Sequence, residues 1–109
     1  MPELTPESRY FESNRLRLHY LVWGDETNPP LILVHGGRDH ARSWDFVAQG
    51  LIDRFAVYAL DLRGHGDSEW STGQYLISDH VADLAKLVSI VSDDPITIVA
   101  HSTGGRITL

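Results

Sequence analysis

Three short apolar runs restrict the folds that this chain can adopt: residues 31–34 ("LILV"), 55–60 ("FAVYAL") and 96–100 ("ITIVA"). Each run is rich in branched or aromatic side chains, as is typical of strands that are buried on both faces. The segments between the runs carry apolar residues at helical spacing. Buried strands that alternate with helices predict an α/β fold with a mostly parallel sheet and helices on both faces.

Two of the segments are predicted to form amphipathic helices. The first, "RSWDFVAQGLIDR", has Ser43 as its predicted N-cap, and the second, "ISDHVADLAKLVSIV", has Ser78 in that role. The spacing predicts that the first helix buries Trp44, Val47 and Leu51. The face predicted to be buried in the second helix comprises Ile77, Val81, Leu84, Val88 and Val91.

The N-terminal part of the sequence predicts a β-hairpin. After a loose leader of residues 1–7, the extended segments "RYFES" and "RLRLHYLVWG" are joined by a turn at Ser13-Asn14. In the second segment apolar residues alternate with more polar ones, which predicts a half-buried strand. Its buried face is expected to carry Leu16, Leu18, Tyr20 and Val22.

Right-handed crossovers between parallel strands place the C-terminal strand ends at one edge of the sheet, where ligands bind in such folds. The loops expected at that edge span residues 35–42, 61–75 and 101–105. The polar, glycine-rich stretches of the chain lie in these loops. We therefore expect the functional residues at this edge.

The last of these loops belongs to "IVAHSTGG", which predicts a strand, a sharp turn at Ser102 and the start of a helix. Such a turn exposes a serine as a nucleophile, and it requires small residues two positions away on either side, here Ala100 and Gly104. The pattern departs from G-x-S-x-G in having alanine at the first position. Taken alone, a window of this kind is more often an ordinary N-cap serine.

The loops after the first two apolar runs help to decide whether Ser102 is a nucleophile or an N-cap. Gly36 and Gly37 follow a buried strand, and glycines let backbone N–H groups approach an oxyanion without a Cβ in the way, although a plain strand-to-helix turn also favours glycine. The "DLRGHGDS" loop lacks the third glycine of a dinucleotide-binding turn, so nucleotide binding is rejected. We expect this loop to be a structural turn held by a pairing of Asp61 with Arg63.

Taken together and in this order, "HGG", "DLRGHGDS" and "AHSTGG" resemble the serine-nucleophile branch of the α/β-hydrolase superfamily. The resemblance implies that Ser102 is the nucleophile and that Gly37 and Thr103 donate the backbone N–H groups of the oxyanion hole. The structural supports that it implies are His35, Gly36, Ala100 and Gly104. It also implies a strand order of "FAVYAL"–"LILV"–"ITIVA", with the two N-terminal strands beyond "FAVYAL".

A serine hydroxyl needs a base, and in this family the chain order is serine, acid, histidine. The resemblance therefore places the acid and the histidine after Leu109. Residues 1–109 are expected to be the N-terminal part of one hydrolase domain, with later strands and a lid still to follow. By themselves they are expected to be inactive.

The histidines within residues 1–109 are not expected to act as the base for Ser102, with one weak candidate. His101 is expected to point away from the turn, and His65 is assigned to the structural turn. His40 is the only local candidate for a base, and no acid is evidently placed to orient it. His19 and His80 are expected to be surface or partly buried residues. The spacing of His35, Asp39 and His40 does not match a metal-binding motif, so no metal and no cofactor is predicted.

The resemblance implies a hydrolase of ester-like or other acyl bonds that works through an acyl-serine intermediate on a small-molecule substrate. An aspartate at position 102 would have suggested an epoxide hydrolase or a dehalogenase, and the serine argues against both. A non-catalytic binding or receptor protein on the same fold, or an inactive fragment, stays open as an alternative.

The composition of the chain argues against several classes of binding partner. The net charge is -6 with no basic stripe, which argues against nucleic acid and anionic membranes, and no cysteine is present to form disulfides or thiolate metal sites. The N-terminus lacks the pattern of a signal peptide and no apolar run is long enough to cross a bilayer, so a cytoplasmic protein is expected. The apolar, uncharged stretch 96–100 is expected to allow self-association through a sheet edge.

Overall fold

The computed structural model describes residues 5–70 and 76–101. In chain order its elements are β1 (Glu7–Ser13), β2 (Leu16–Trp23), β3 (Pro30–Val34), a 3-10 turn (Ala41–Trp44), α1 (Asp45–Leu51), β4 (Ala56–Leu60), α2 (Ile77–Val91) and β5 (Thr97–Ala100). Each of the three apolar runs contains a strand, so the predicted α/β element order is confirmed.

The five strands form one mixed sheet in the order β1-β2-β4-β3-β5. β3 pairs in parallel with β4 and β5, whereas β2 pairs antiparallel with β1 and β4. The predicted spatial order is confirmed, with "LILV" between the other two apolar runs and the N-terminal strands beyond "FAVYAL". The parallel pairings are those among β3, β4 and β5, and the hairpin supplies the antiparallel side of the sheet.

The hairpin turn lies one residue later than the sequence predicts. Ser13 still pairs with Leu16, and the turn is formed by Asn14 and Arg15, whose φ angles are 48° and 69°. Positive φ at both positions of a two-residue turn matches the twist of the flanking strands. Ser13 is retained in the strand because its side chain is buried and donates a hydrogen bond to Asp83.

The prediction that β2 is half-buried is wrong, because the strand is buried on both faces from Leu18 to Trp23. On one face Leu18, Tyr20 and Val22 join the core beneath α2, as the alternation predicts. On the other face Leu21 and Trp23 join the core beneath α1. β2 lies between β1 and β4, so it behaves as an interior strand with helices over both of its faces.

The two helices cover opposite faces of the sheet, as predicted. α1 and the turn before it contribute Ala48 and Ala41 to one core, and α2 contributes Leu84 and Leu87 to the other. Among the described residues, no helix combines the length and the apolar character needed to cross a bilayer.

The predicted buried face of the first helix is partly wrong. Val47 is exposed and Ala48 is buried, while Trp44 and Leu51 are partly buried against the core. A 3-10 turn occupies residues 41–44, and its tighter winding shifts the spacing from which the face was predicted. Ser43 lies inside this turn, where its hydroxyl donates a hydrogen bond to Asp39, so it is not the helix N-cap.

The second helix is also rotated from its predicted face. Leu84 is buried and Val88 and Val91 pack against the core as expected, but Ile77 and Val81 are exposed. The first turns of α2 instead bury the polar residues His80 and Asp83. Ser78 is inside the helix, and the cap contact comes from Asp79, whose carboxylate accepts the N–H of Leu76 at 3.1 Å.

Candidate active site

The C-terminal ends of β3, β4 and β5 lie at one edge of the sheet, as predicted. Val34, at the end of β3, pairs with Leu60 of β4 and with Ala100 of β5. The backbone N–H of His101 continues this pairing by donating to the carbonyl oxygen of Val34 at 3.1 Å. The loop that begins at His35 therefore starts beside the residue that precedes Ser102.

The candidate site residues fall into two groups. Ser102, Thr103 and Gly104 lie outside the described residues, so their predicted roles stay predictions. The others are described: His35 and Gly36 are buried, Ala100 is partly buried at the end of β5, and Gly37 is exposed in the turn that follows Gly36. Exposure of Gly37 leaves its backbone accessible at this edge, as a contact with substrate requires.

His35 bridges the loops that follow β3 and β4. Its Nε2 accepts the backbone N–H of Leu62 at 3.0 Å, so Nδ1 carries the proton and donates to the carbonyl oxygen of Gly36 at 2.6 Å. Burial lowers the pKa of His35 below its ordinary value, which keeps the ring neutral. The supporting role of His35 stays a prediction, and these two hydrogen bonds are the contacts through which it would act.

Asp61 organises the loop after β4, but through partners other than the predicted one. Its buried carboxylate accepts hydrogen bonds from the His19 ring at 2.6 Å and from the backbone N–H groups of Ala41 and Asp67 at 2.7 and 3.1 Å. Burial by itself would raise the pKa of Asp61, but these hydrogen bonds outweigh it and lower the pKa. The predicted pairing of Asp61 with Arg63 is wrong.

His19 corrects a second expectation, because it is fully buried rather than a surface or partly buried residue. Its two ring nitrogens lie 2.6 Å from the Asp61 carboxylate and 3.0 Å from the Ser8 hydroxyl. The one feature of the sequence that could have indicated its burial is its place in a strand between buried neighbours. Its acidic partner lies 42 residues later, beyond the reach of any local pattern.

Arg63 pairs with a helix residue that the sequence analysis did not single out. The guanidinium of Arg63 contacts both carboxylate oxygens of Asp83, at 2.6 and 2.8 Å, and the Ser13 hydroxyl donates to the same carboxylate at 2.6 Å. All three side chains are buried. The one feature of the sequence that could have indicated this pairing is that Asp83 is an acid next to Leu84, on the side of the helix that faces the sheet.

A cavity of about 190 Å³ adjoins the end of β5 and is lined by His35, Asp39, Ser43, Trp44 and His101. The hydrogen bond from the Ser43 hydroxyl lowers the pKa of Asp39, so this carboxylate is ionised at neutral pH. One of its lining residues, His101, directly precedes Ser102 in the sequence.

Neither the base candidate nor a metal-binding set gains support from the geometry. Among the described residues, no acid is hydrogen-bonded to the ring of His40; only its backbone N–H contacts Asp39. A different trio, His19, Asp61 and Asp67, has ligand atoms within 4.8 Å of one another. Because His19 and Asp61 bind each other and further protein groups, we assign no metal to this trio.

The comparisons with known proteins agree with this fold. A sequence model described as alpha/beta hydrolase fold matches residues 29–109. Haloalkane dehalogenase 2 of Mycobacterium bovis is 35% identical over an alignment of 114 positions, which covers 99% of this chain and 38% of that protein. The soluble epoxide hydrolase of Corynebacterium sp. is 34% identical over 94 residues, which cover 86% of this chain and 32% of that protein.

Solved structures give the same result. The thioesterase domain from the curacin biosynthetic pathway superposes with a TM-score of 0.91 at 25% identity, over 94% of this chain and 38% of that one. The chain spans between 24% and 38% of the length of the curated relatives described as uncharacterised, epoxide hydrolase and dehalogenase proteins. With a family model that matches most of its residues, this chain belongs to the alpha/beta hydrolase family.

Proposed function

We propose that the protein is a serine hydrolase that cleaves ester-like or other acyl bonds, with Ser102 as the nucleophile. The observation that carries the proposal is the hydrogen bond from the His101 N–H to the Val34 carbonyl oxygen. It holds the residue before Ser102 beside the strand that leads into Gly36 and Gly37. A nucleophile and an oxyanion-hole donor need this proximity, since both act on one carbonyl group.

In the proposed reaction the Ser102 Oγ attacks the acyl carbon while a base takes its proton. The carbonyl oxygen becomes an oxyanion, which accepts hydrogen bonds from the N–H groups of Gly37 and Thr103. The base gives the proton to the leaving oxygen or sulfur, so that the tetrahedral intermediate expels an alcohol or a thiol and leaves an acyl-serine. Water then attacks this ester and releases the acid, which restores the hydroxyl.

The relatives carry names of different kinds of hydrolase, so the type of bond that is cleaved has to be found by experiment. Two relatives are called a haloalkane dehalogenase and an epoxide hydrolase, and a structural neighbour is called a thioesterase. Serine at position 102 favours acyl transfer, because an ester of serine is the intermediate of acyl hydrolysis. A binding or receptor protein on the same fold would have no activated serine.

Fluorophosphonate labelling of the native protein tests the proposal, because this probe reacts with activated serines. Trypsin releases Ser102 within the peptide 87–106, which also contains Ser89 and Ser92 as internal references. We expect mass spectrometry to find the label on Ser102 and to find none in Ser102→Ala. Absence of label on Ser102 in the native protein would exclude an activated serine. Residues 1–109 expressed by themselves are expected not to react, since the resemblance places the acid and the histidine later.

A further inference from the structure

The exposed turn at Gly37 contacts two histidines, His35 from its own loop after β3 and His65 from the loop after β4. We propose that His65 is a positioning residue for the oxyanion hole and acts on Gly37 jointly with His35. This inference rests on the function proposed above, because it assigns a role to the Gly37 N–H in acyl transfer. The supporting observations are the hydrogen bonds on the two peptide groups that flank Gly37.

The first of these peptide groups joins Gly36 to Gly37 and contains the candidate oxyanion donor, the N–H of Gly37. Its carbonyl oxygen, that of Gly36, accepts a hydrogen bond from His35 Nδ1 at 2.6 Å. In a trans peptide the N–H points opposite to the C=O, and the structure contains no cis peptide bond among the described residues. By holding the oxygen on its own side, His35 directs the N–H of Gly37 away from itself.

The second peptide group joins Gly37 to Arg38, and its N–H donates to Nε2 of His65 at 3.2 Å. The other ring nitrogen of His65, Nδ1, lies 2.9 Å from the carbonyl oxygen of Arg63. A carbonyl oxygen can only accept, so Nδ1 carries the proton and Nε2 has the free lone pair that Arg38 needs. The neutral ring therefore links the turn at Gly37 to the loop after β4.

The arrangement is reciprocal. His35, in the loop after β3, accepts an N–H from the loop after β4, and His65, in the loop after β4, accepts an N–H from the loop after β3. The two rings are in contact, with centroids 5.1 Å apart. Each ring is thereby fixed by two hydrogen bonds and by the other ring.

Gly37 needs such restraint for two reasons. Glycine has the widest range of backbone conformations, so the peptide groups on either side of it rotate unless something holds them. In addition, Arg38 has a φ of 62°, a left-handed conformation that a residue with a side chain adopts at a cost and keeps only under restraint. Loss of the His65 acceptor removes a hydrogen bond that holds this conformation, and the peptide group that contains the N–H of Gly37 is then restrained by His35 alone.

Three variants of His65 separate positioning from simple packing. His65→Phe keeps the ring and its contact with His35 but removes the acceptor. His65→Gln loses the ring but places an oxygen near the position of Nε2, whereas His65→Asn places its oxygen near Nδ1, out of reach of Arg38. If His65 positions the turn, His65→Gln retains more activity than the other two variants; if it only fills space, His65→Phe retains the most.

The experiment measures kcat and KM of the native protein and its variants on a p-nitrophenyl ester. Full removal of an oxyanion-hole donor lowers kcat by about 10²–10³-fold, so the partial loss of restraint on a donor that is still present is expected to lower kcat about tenfold in His65→Phe and His65→Asn. KM is expected to stay unchanged, because the oxyanion forms only in the transition state. Wild-type kcat in His65→Phe would overturn the inference.

Amide hydrogen exchange of Arg38 gives a second readout that does not depend on turnover. We expect faster exchange in His65→Phe and His65→Asn than in the wild type and in His65→Gln. Equal exchange in all four proteins would show that the ring does not hold this N–H, and would overturn the inference. The Ser102→Ala variant keeps the two questions apart, because turnover that survives in it contradicts the proposed function and not the role of His65.

Discussion

Gly66 occupies a position that is strained for any residue with a side chain. Its φ is +50°, and a Cβ at this position would overlap the carboxylate of Asp61. We expect Gly66→Ala to lower the free energy of unfolding by at least about 2 kcal/mol, since a left-handed alanine costs about 1–3 kcal/mol and displacement of Asp61 leaves buried hydrogen-bonding groups unpaired. Urea denaturation followed by circular dichroism measures the change.

Gly50 supplies a matched control for that substitution. It lies inside α1, and a Cβ at this position would have no heavy atom within 4 Å. Gly50→Ala is expected to stabilise the protein by about 0.5–1 kcal/mol, because alanine loses less backbone entropy in a helix. If both substitutions had the same effect, the contact between Gly66 and Asp61 would not restrict this loop.

A local pattern was enough to single out some of the candidate residues, whose roles stay predictions. The sequence identifies Gly36 and Gly37 by their place after a buried strand, and the resemblance adds the supporting role of His35. The partners of Asp61 were not predictable, because one of them, His19, is supplied by a strand 42 residues away. The nearest charge in the sequence, Arg63, was the wrong choice, since its side chain extends instead to α2.

At the scale of elements, the contact between Arg63 and Asp83 explains why α2 buries a different face from the one predicted. The periodicity of apolar residues places Val81 against the sheet, but the buried ion pair places Asp83 there instead. The order of strands was predictable from the apolar runs and the resemblance. The rotation of α2 was not predictable, because it depends on the guanidinium of Arg63, which lies in the loop after β4.

Replacement of Asp83 tests the weight of this ion pair. Removal of one partner of a buried pair leaves an uncompensated charge, so Asp83→Asn is expected to lower the free energy of unfolding by about 3–5 kcal/mol. The exposed Asp93, just beyond α2, supplies the control, and Asp93→Asn is expected to change stability by less than about 0.5 kcal/mol. Chemical denaturation measures both, and a change in Asp83→Asn as small as that in Asp93→Asn would contradict the assignment.

At the scale of the whole molecule, the sheet has one apolar edge. Among the described residues β5 pairs with β3 alone, and Thr97 and Val99 are exposed. The strand contains no charge and no proline, the features that commonly prevent edge pairing. We expect residues 1–109, expressed by themselves, to associate through this edge.

The substitution that tests this association has to spare the core. Ile98 packs against the cluster beneath α2, so a lysine at that position would disturb the fold as well as the edge. Val99 is 39% exposed on the opposite face of β5 and is the better position. Val99→Lys is expected to weaken association at least about tenfold, because it removes an apolar contact worth about 1.5 kcal/mol or more and places like charges across a paired edge.

Sedimentation equilibrium at micromolar concentrations compares the wild type with Val99→Lys and with Val81→Lys. Val81 has a similar exposed fraction, 42%, but lies on α2, so its variant changes the net charge equally without altering the edge. We expect Val81→Lys to associate like the wild type, and Val99→Lys to be more monomeric at every concentration. A wild-type chain that stays monomeric at high micromolar concentration would contradict association through β5. Equal effects of the two lysines would also contradict it, because the two variants differ in whether the lysine lies on the edge strand.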